Sequence, residues 1–186
     1  MGTTGMTAQA FGKQNAVDIA LTLGRAILIV LVVAILLLSF QFPISQAAFY
    51  LMNVSEAQMP LVTEYFHIRI WAAPASLGLF AFMGWFFGMQ NAVIPLIITV
   101  IINLVNILLN FLFVVEFGME VDGVAWSTVI AQYVGLILAI ILFFYNYAEY
   151  VRHFKYKTIL VWEELREFLR VNQDIFIRTV CLTLSF

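Results

Sequence analysis

Asn103, Asn106 and Asn110 recur at i, i+3 and i+7 within PLIITVIINLVNILLNFLFVV, a run that carries no charge. After a short acidic turn, Glu116 to Asp122, a second apolar run holds Ser127, Thr128 and Gln132. In hydrocarbon such amides and hydroxyls are costly, and they mark either a substrate or ion pathway or a hydrogen-bonded helix contact. As contacts they contribute about 0.6–2 kcal/mol each. As a pathway they supply neutral oxygen and nitrogen ligands. Spacing alone leaves both readings open for the set Asn103, Asn106, Asn110, Thr128 and Gln132. Other chemistry finds little support. His67 and His153 have no ligand-type partner at i+3 or i+4, and Cys181 is the single cysteine, so the sequence predicts no metal site and no internal disulfide. It contains no paired His/Glu metalloenzyme motif, no Ser/His/Asp set with an intramembrane acid and no phosphate-cradling glycine loop. We therefore expect no catalytic residues, no enzyme and no bound cofactor.

The elements that must position these residues are read from hydropathy. The chain has 186 residues, 63% of them hydrophobic and 11% charged, with a mean hydropathy of +1.00. That composition predicts an all-α integral membrane protein, a polytopic helical bundle whose first partner is the lipid bilayer. A net charge of −2 suggests no nucleic-acid partner. A membrane helix needs about 20 apolar residues, and four stretches qualify, at about 19–42, 65–89, 93–115 and 124–145. Together they make a membrane bundle over 1–147. Glycines 2, 5 and 12 argue against a regular isolated helix at the start, which reads as the end of an earlier helix followed by a loop. Pro43 ends the first span, and a connector over 43–64 has room for a short interfacial helix. Pro74 removes a backbone bond early in the second span and predicts a kink there. Residues 148–174 read as an amphipathic linker. The apolar run 175–186 is too short to span, which suggests a further span cut off and a chain that is a piece of a longer protein.

Charge orients the bundle. Segments 1–18, 90–92 and 148–174 fall on one side and carry Lys13, Arg152, Lys155, Lys157, Arg166 and Arg170. Segments 43–64 and 116–123, on the other side, carry no basic residue. The positive-inside rule makes the first set cytoplasmic. Counting outward from a turn centred near Met119 and Glu120, at about 1.5 Å per residue, places Asn110 level with Thr128 and Asn106 level with Gln132.

The stretches NxxNILLNFLFV and GMEVDGVAWSTVIAQY resemble the multidrug and toxic-compound extrusion (MATE) transporters, most closely their DinF-like branch. TGMTAQAFGKQN, YFHIRIWAAPASLGLFAFMGWFFGMQNA and RVNQDIFIRT carry the resemblance through the rest of the chain, in the family's order. It implies a partial amino-terminal half of a twelve-helix transporter in the inner (plasma) membrane, with helices three to six and the opening of seven present. It also implies secondary-active export of small cationic or amphipathic compounds by alternating access, driven by a proton or sodium gradient. The remainder of the transporter would then be a partner. Many members carry NxxxD on the fifth helix and a Thr on the sixth, completed by an Asp of the first. Asn106 and Thr128 match that pattern, whereas the Asp position is Asn110 here, and an amide neither takes up a proton nor lends charge to a cation. Two other functions fit the same pattern of spans: a lipid-linked glycan flippase of the wider superfamily, or a non-transporting membrane scaffold. The first needs a cationic cavity, for which only Arg25 and Arg69 are at hand.

Overall fold

The structure is a computed structural model and describes residues 2–52, 55, 57–154, 161, 165, 166, 168–170, 173 and 181. The described elements are all helical. In chain order they are α1 (Gly2–Gly12), α2 (Ala16–Ser39), α3 (Gln41–Leu51), α4 (Met59–Arg69), a 3-10 turn (Ile70–Ala72), α5 (Ala73–Gly88), α6 (Val93–Asn110), a π-helical segment (Phe111–Glu116) and α7 (Val121–Val151). Among the described residues, four stretches are long and apolar enough to cross a membrane: Ala16–Ser39, Met59–Gly88, Val93–Glu116 and Val121–Val151. The chain is thus an all-helical, polytopic membrane protein. About half of the expected linker, including 155–160, and all but Cys181 of 175–186 lie outside the described residues.

Local chemistry explains where the helices start and break. The second spanning stretch begins at Met59, earlier than hydropathy suggests, because Pro60 sits in the first turn of α4, where a missing N–H costs nothing. The interruption in that stretch is the turn Ile70–Ala72, directly ahead of Pro74. Proline cannot donate to the carbonyl four residues back, and its ring crowds that carbonyl. The chain tightens instead, with the Ala73 N–H bonding the Ile70 carbonyl. Tyr133 donates its hydroxyl to the Trp71 carbonyl at 3.0 Å, support from a neighbouring helix for a broken one. α7 runs on to Val151 and is kinked at Tyr147, whose φ of −136° and ψ of 22° leave the helical region.

The fold divides into two compact units. The first takes in 1–29, 80–95 and 140–186. Its hub is Trp85, fully buried, whose indole N–H donates to the Ile19 carbonyl at 2.9 Å. Around it, ring centroids lie 5.0 Å away at Tyr147, 5.3 Å at Phe143 and 5.6 Å at Phe86, all near edge-to-face. Gly84 and Gly88, one turn apart on α5, seat α1. A Cβ on Gly88 would lie 2.5 Å from the Thr7 Cβ and 2.8 Å from the Thr4 carbonyl oxygen, so the helix backbones meet directly. This contact is why a glycine- and threonine-rich segment of poor propensity is helical at all.

A repeat is also visible in this unit. FGKQNAV (11–17) and FGMQNAV (87–93) fold alike. Gln14 and Gln90 take φ of 55° and 58°. Asn15 and Asn91 then cap α2 and α6, each side-chain oxygen accepting two backbone N–H groups at 3.1–3.3 Å.

The second unit takes in 30–79 and 96–139. In it Gly135 of α7 lies directly under Ile102 of α6, and Gly78 of α5 faces Leu136 of α7. The close approach at Gly135 brings the polar faces of α6 and α7 within hydrogen-bonding range.

Candidate functional site

The polar residues of the α6–α7 hairpin lie wholly in the second unit, and four of them form a chain. Ser127, fully buried, places its Oγ 2.6 Å from Asn110 Oδ1. Asn110 Nδ2 donates to Asn106 Oδ1 at 3.0 Å. Asn106 Nδ2 donates to Thr128 Oγ1 at 3.2 Å. Thr128 Oγ1 in turn donates to the Val124 carbonyl at 2.9 Å. The Ser127 hydroxyl also lies 2.8 Å from that carbonyl, and its single proton serves one acceptor at a time. The stacking of Asn106 and Asn110 follows from their i, i+4 spacing, and the convergence of Ser127 and Thr128 from their adjacency across a close helix contact.

Pairing differs from equal counting along two straight helices. Asn106 meets Thr128, not Gln132, and Asn110 meets Ser127, not Thr128. The cause is the approach to the turn. Phe111–Glu116 is π-helical, and the Phe117 N–H bonds the Leu112 carbonyl five residues back. A wider turn takes up more residues for the same rise. Asn110 and Asn106 therefore sit nearer the turn than their residue count implies, opposite residues closer to the start of α7. Gly118, with φ of 65°, then reverses the chain.

The remaining members of the predicted set stand apart from this chain. Asn103 is exposed and donates Nδ2 to the Thr99 carbonyl of its own helix at 2.9 Å. Gln132 is half-buried, one turn beyond Thr128, with no side-chain hydrogen bond among the described residues. Ser127 belongs in the cluster although spacing gave no reason to rank it with the five. Its signal was the neighbouring polar pair Ser127–Thr128, of which only one member matched the family pattern. Among the described residues no group of three His, Cys, Asp or Glu side chains is placed to hold a metal. Among the described residues no acidic side chain is hydrogen-bonded to the cluster, whose own amides and hydroxyls are uncharged.

This geometry can do two things. It can hold two helices together, because Asn106 donates across to Thr128 and Ser127 lies in hydrogen-bond reach of Asn110. It can also offer oxygens, since Asn106 Oδ1, Asn110 Oδ1 and the two hydroxyl oxygens each retain a lone pair. Arg25 lies well inside α2 and is 7% exposed, and Arg69 ends α4, half-buried.

The MatE family model matches residues 1–112, well over half of the chain and as far as the start of the π-helical segment. The chain belongs to the MatE family. DNA damage-inducible protein F of Escherichia coli (strain K12) is similar, with 34% identity over 194 aligned residues. That alignment takes in 100% of this chain and 40% of the relative, so the chain spans about 40% of the length of this relative. The family match covers Asn103, Asn106 and Asn110. The hydroxyl partners on α7 fall within the longer pairwise alignment.

Proposed function

We propose that this chain is part of the amino-terminal half of a secondary-active efflux transporter that exchanges small cationic or amphipathic compounds for a cation. The observation that supports this most is the neutral chain Ser127–Asn110–Asn106–Thr128 bridging two spanning helices of a MatE-family protein. In this reading the cluster, with Asn103 and Gln132 alongside, lines one wall of the pathway, and Pro74 with its 3-10 turn gives the second spanning stretch a place to bend. Alternating access needs two halves that move against each other, so the remainder of the transporter is a required partner. Segments 1–18, 90–92 and 148–174 face the cytoplasm and 43–64 and 116–123 the outside, by loop charge. An uncharged cluster does not take up a proton, so proton coupling would need an acid from elsewhere in the protein, whereas a sodium ion needs only oxygens.

The test is dye efflux by the full-length protein in vesicles, with a pH gradient or a sodium gradient imposed separately. Asn106→Ala and Thr128→Ala are expected to slow efflux and to change its dependence on the driving ion. Transport and ion dependence identical to the parent would sink the pathway assignment. A second reading has its own support: the amides of α6 are already hydrogen-bonded to each other and to α7, as helix glue requires. In that case the same variants lower thermal stability and leave efflux per folded molecule unchanged.

A further inference from the structure

The two FGxQNAV turns carry an inference separate from transport. Each places a glutamine, Gln14 and Gln90, in the left-handed region, with φ of 55° and 58°. That region favours glycine or asparagine, and glutamine there is strained. Strained residues that persist cluster at ligand clamps and switches. Both glutamines line one cavity of about 400 Å³ in the first unit, together with Tyr150 and an apolar floor of Phe11, Ala16 and Ile19. Lys13 stands exposed beside Gln14 in the same turn. Among the described residues no acidic side chain lines the cavity.

We propose that this cavity binds the phosphodiester headgroup of an anionic phospholipid. The carboxamides of Gln14 and Gln90 and the Tyr150 hydroxyl supply hydrogen-bond donors for phosphate oxygens. Lys13, exposed and adjacent to Gln14 in the chain, supplies positive charge nearby, and the apolar lining receives the glycerol and the first carbons of a chain. The location fits this occupant. Ala16 begins one spanning stretch, Gln90 lies between the end of the second and the start of the third, and Tyr150 is at the end of the fourth. Because successive spans alternate in direction, all three positions lie at helix ends at one membrane face, where headgroups are. The repeat explains the pair of donors: the same turn, used twice, presents the same side chain twice.

The experiment is native mass spectrometry and thermal melting of the full chain purified in detergent, titrated with phosphatidylglycerol, phosphatidylcholine or inorganic phosphate. Phosphatidylglycerol is expected to be retained and to raise the melting temperature more than phosphatidylcholine does. Removing two donors of this kind should weaken retention about tenfold or more. The informative variant is the double change Gln14→Gly and Gln90→Gly. It relieves the backbone strain, so it should melt no lower than the parent while losing its preference for phosphatidylglycerol. Retention of that lipid unchanged in the double variant, or equal retention of the two lipids by the parent, overturns the proposal. Stabilisation by inorganic phosphate equal to that by phosphatidylglycerol overturns the assignment to a lipid.

Discussion

The turn after α1 and the turn after α5 differ at one residue in seven, Lys13 against Met89, and their backbones agree bond for bond. The glutamine N–H bonds the phenylalanine carbonyl three residues back at 2.9 Å in the first and 3.0 Å in the second. The asparagine N–H bonds the carbonyl five back at 3.0 Å in both. What differs is what the side chains meet. Nothing lies within 4 Å of a Cβ built on Gly12, whereas its counterpart Gly88 is pressed against α1. Asn15 turns its amide onto Asp18 of its own helix at 2.7 Å. At the place equivalent to Asp18 the second copy has Ile94, and Asn91 instead donates to the Tyr147 hydroxyl on α7 at 2.9 Å. One local design thus serves as a free-standing corner in one place and as a tie between helices in the other. Backbone geometry here is set by the seven residues, and packing by everything else.

The comparison breaks most sharply at the glycines. Gly88→Ala forces a methyl into backbone and β-carbon atoms of α1, and overpacking of that kind costs about 1–3 kcal/mol or more. Gly12→Ala meets open space and gains about 0.5–1 kcal/mol at most from helix propensity. Thermal melts in detergent, followed by circular dichroism, should show a clear loss of stability for the first and none for the second. Equal melting temperatures would mean that α1 is not seated on α5 as described. Next come the caps. Asn15→Ala and Asn91→Ala should each cost about 0.5–2 kcal/mol. Only Asn91 should couple to Tyr147: a double-mutant cycle with Tyr147→Phe is expected to yield about 0.6 kcal/mol, the usual size for a hydrogen bond between membrane helices. The same cycle run with Asn15 should yield zero within error.

The contrast between local and tertiary information also separates what residues alone reveal from what they do not. Among the described residues, the four helical stretches long and apolar enough to cross a membrane overlap the four apolar runs in the sequence, because lipid imposes a long apolar run on any helix that crosses it. Hydropathy misplaced the start of the second, where Pro60 reads as a breaker yet is harmless in a first turn. For the hairpin, spacing identified Asn106, Asn110 and Thr128 as candidates, but their partners depend on depth. Depth was shifted by the π-helical segment, and nothing in FLFVVE distinguishes π from α winding before the turn closes. Ser127 became a member only through its contact with Asn110, which is a fact of packing. The repeated turn was open to direct reading, since FGKQNAV and FGMQNAV can be found by comparing the chain with itself. Its consequence, two strained glutamines lining one cavity, needed the fold.

The finest test of the two turns concerns those glutamines as backbone elements. A non-glycine residue in the left-handed region gives up about 1–2 kcal/mol relative to the right-handed one. Glycine removes that cost but brings a more flexible unfolded chain, which returns about 0.4–1 kcal/mol. Gln14→Gly and Gln90→Gly, made singly, should therefore each stabilise by a few tenths to about 1 kcal/mol. Because φ differs by only 3° between the two sites, the two gains should agree within error. Chemical denaturation of each variant in the same detergent measures this. A gain at Gln14 with a loss at Gln90 would show that the second turn depends on its glutamine side chain for more than the shared backbone design. The likeness of the two corners would then end at the main chain.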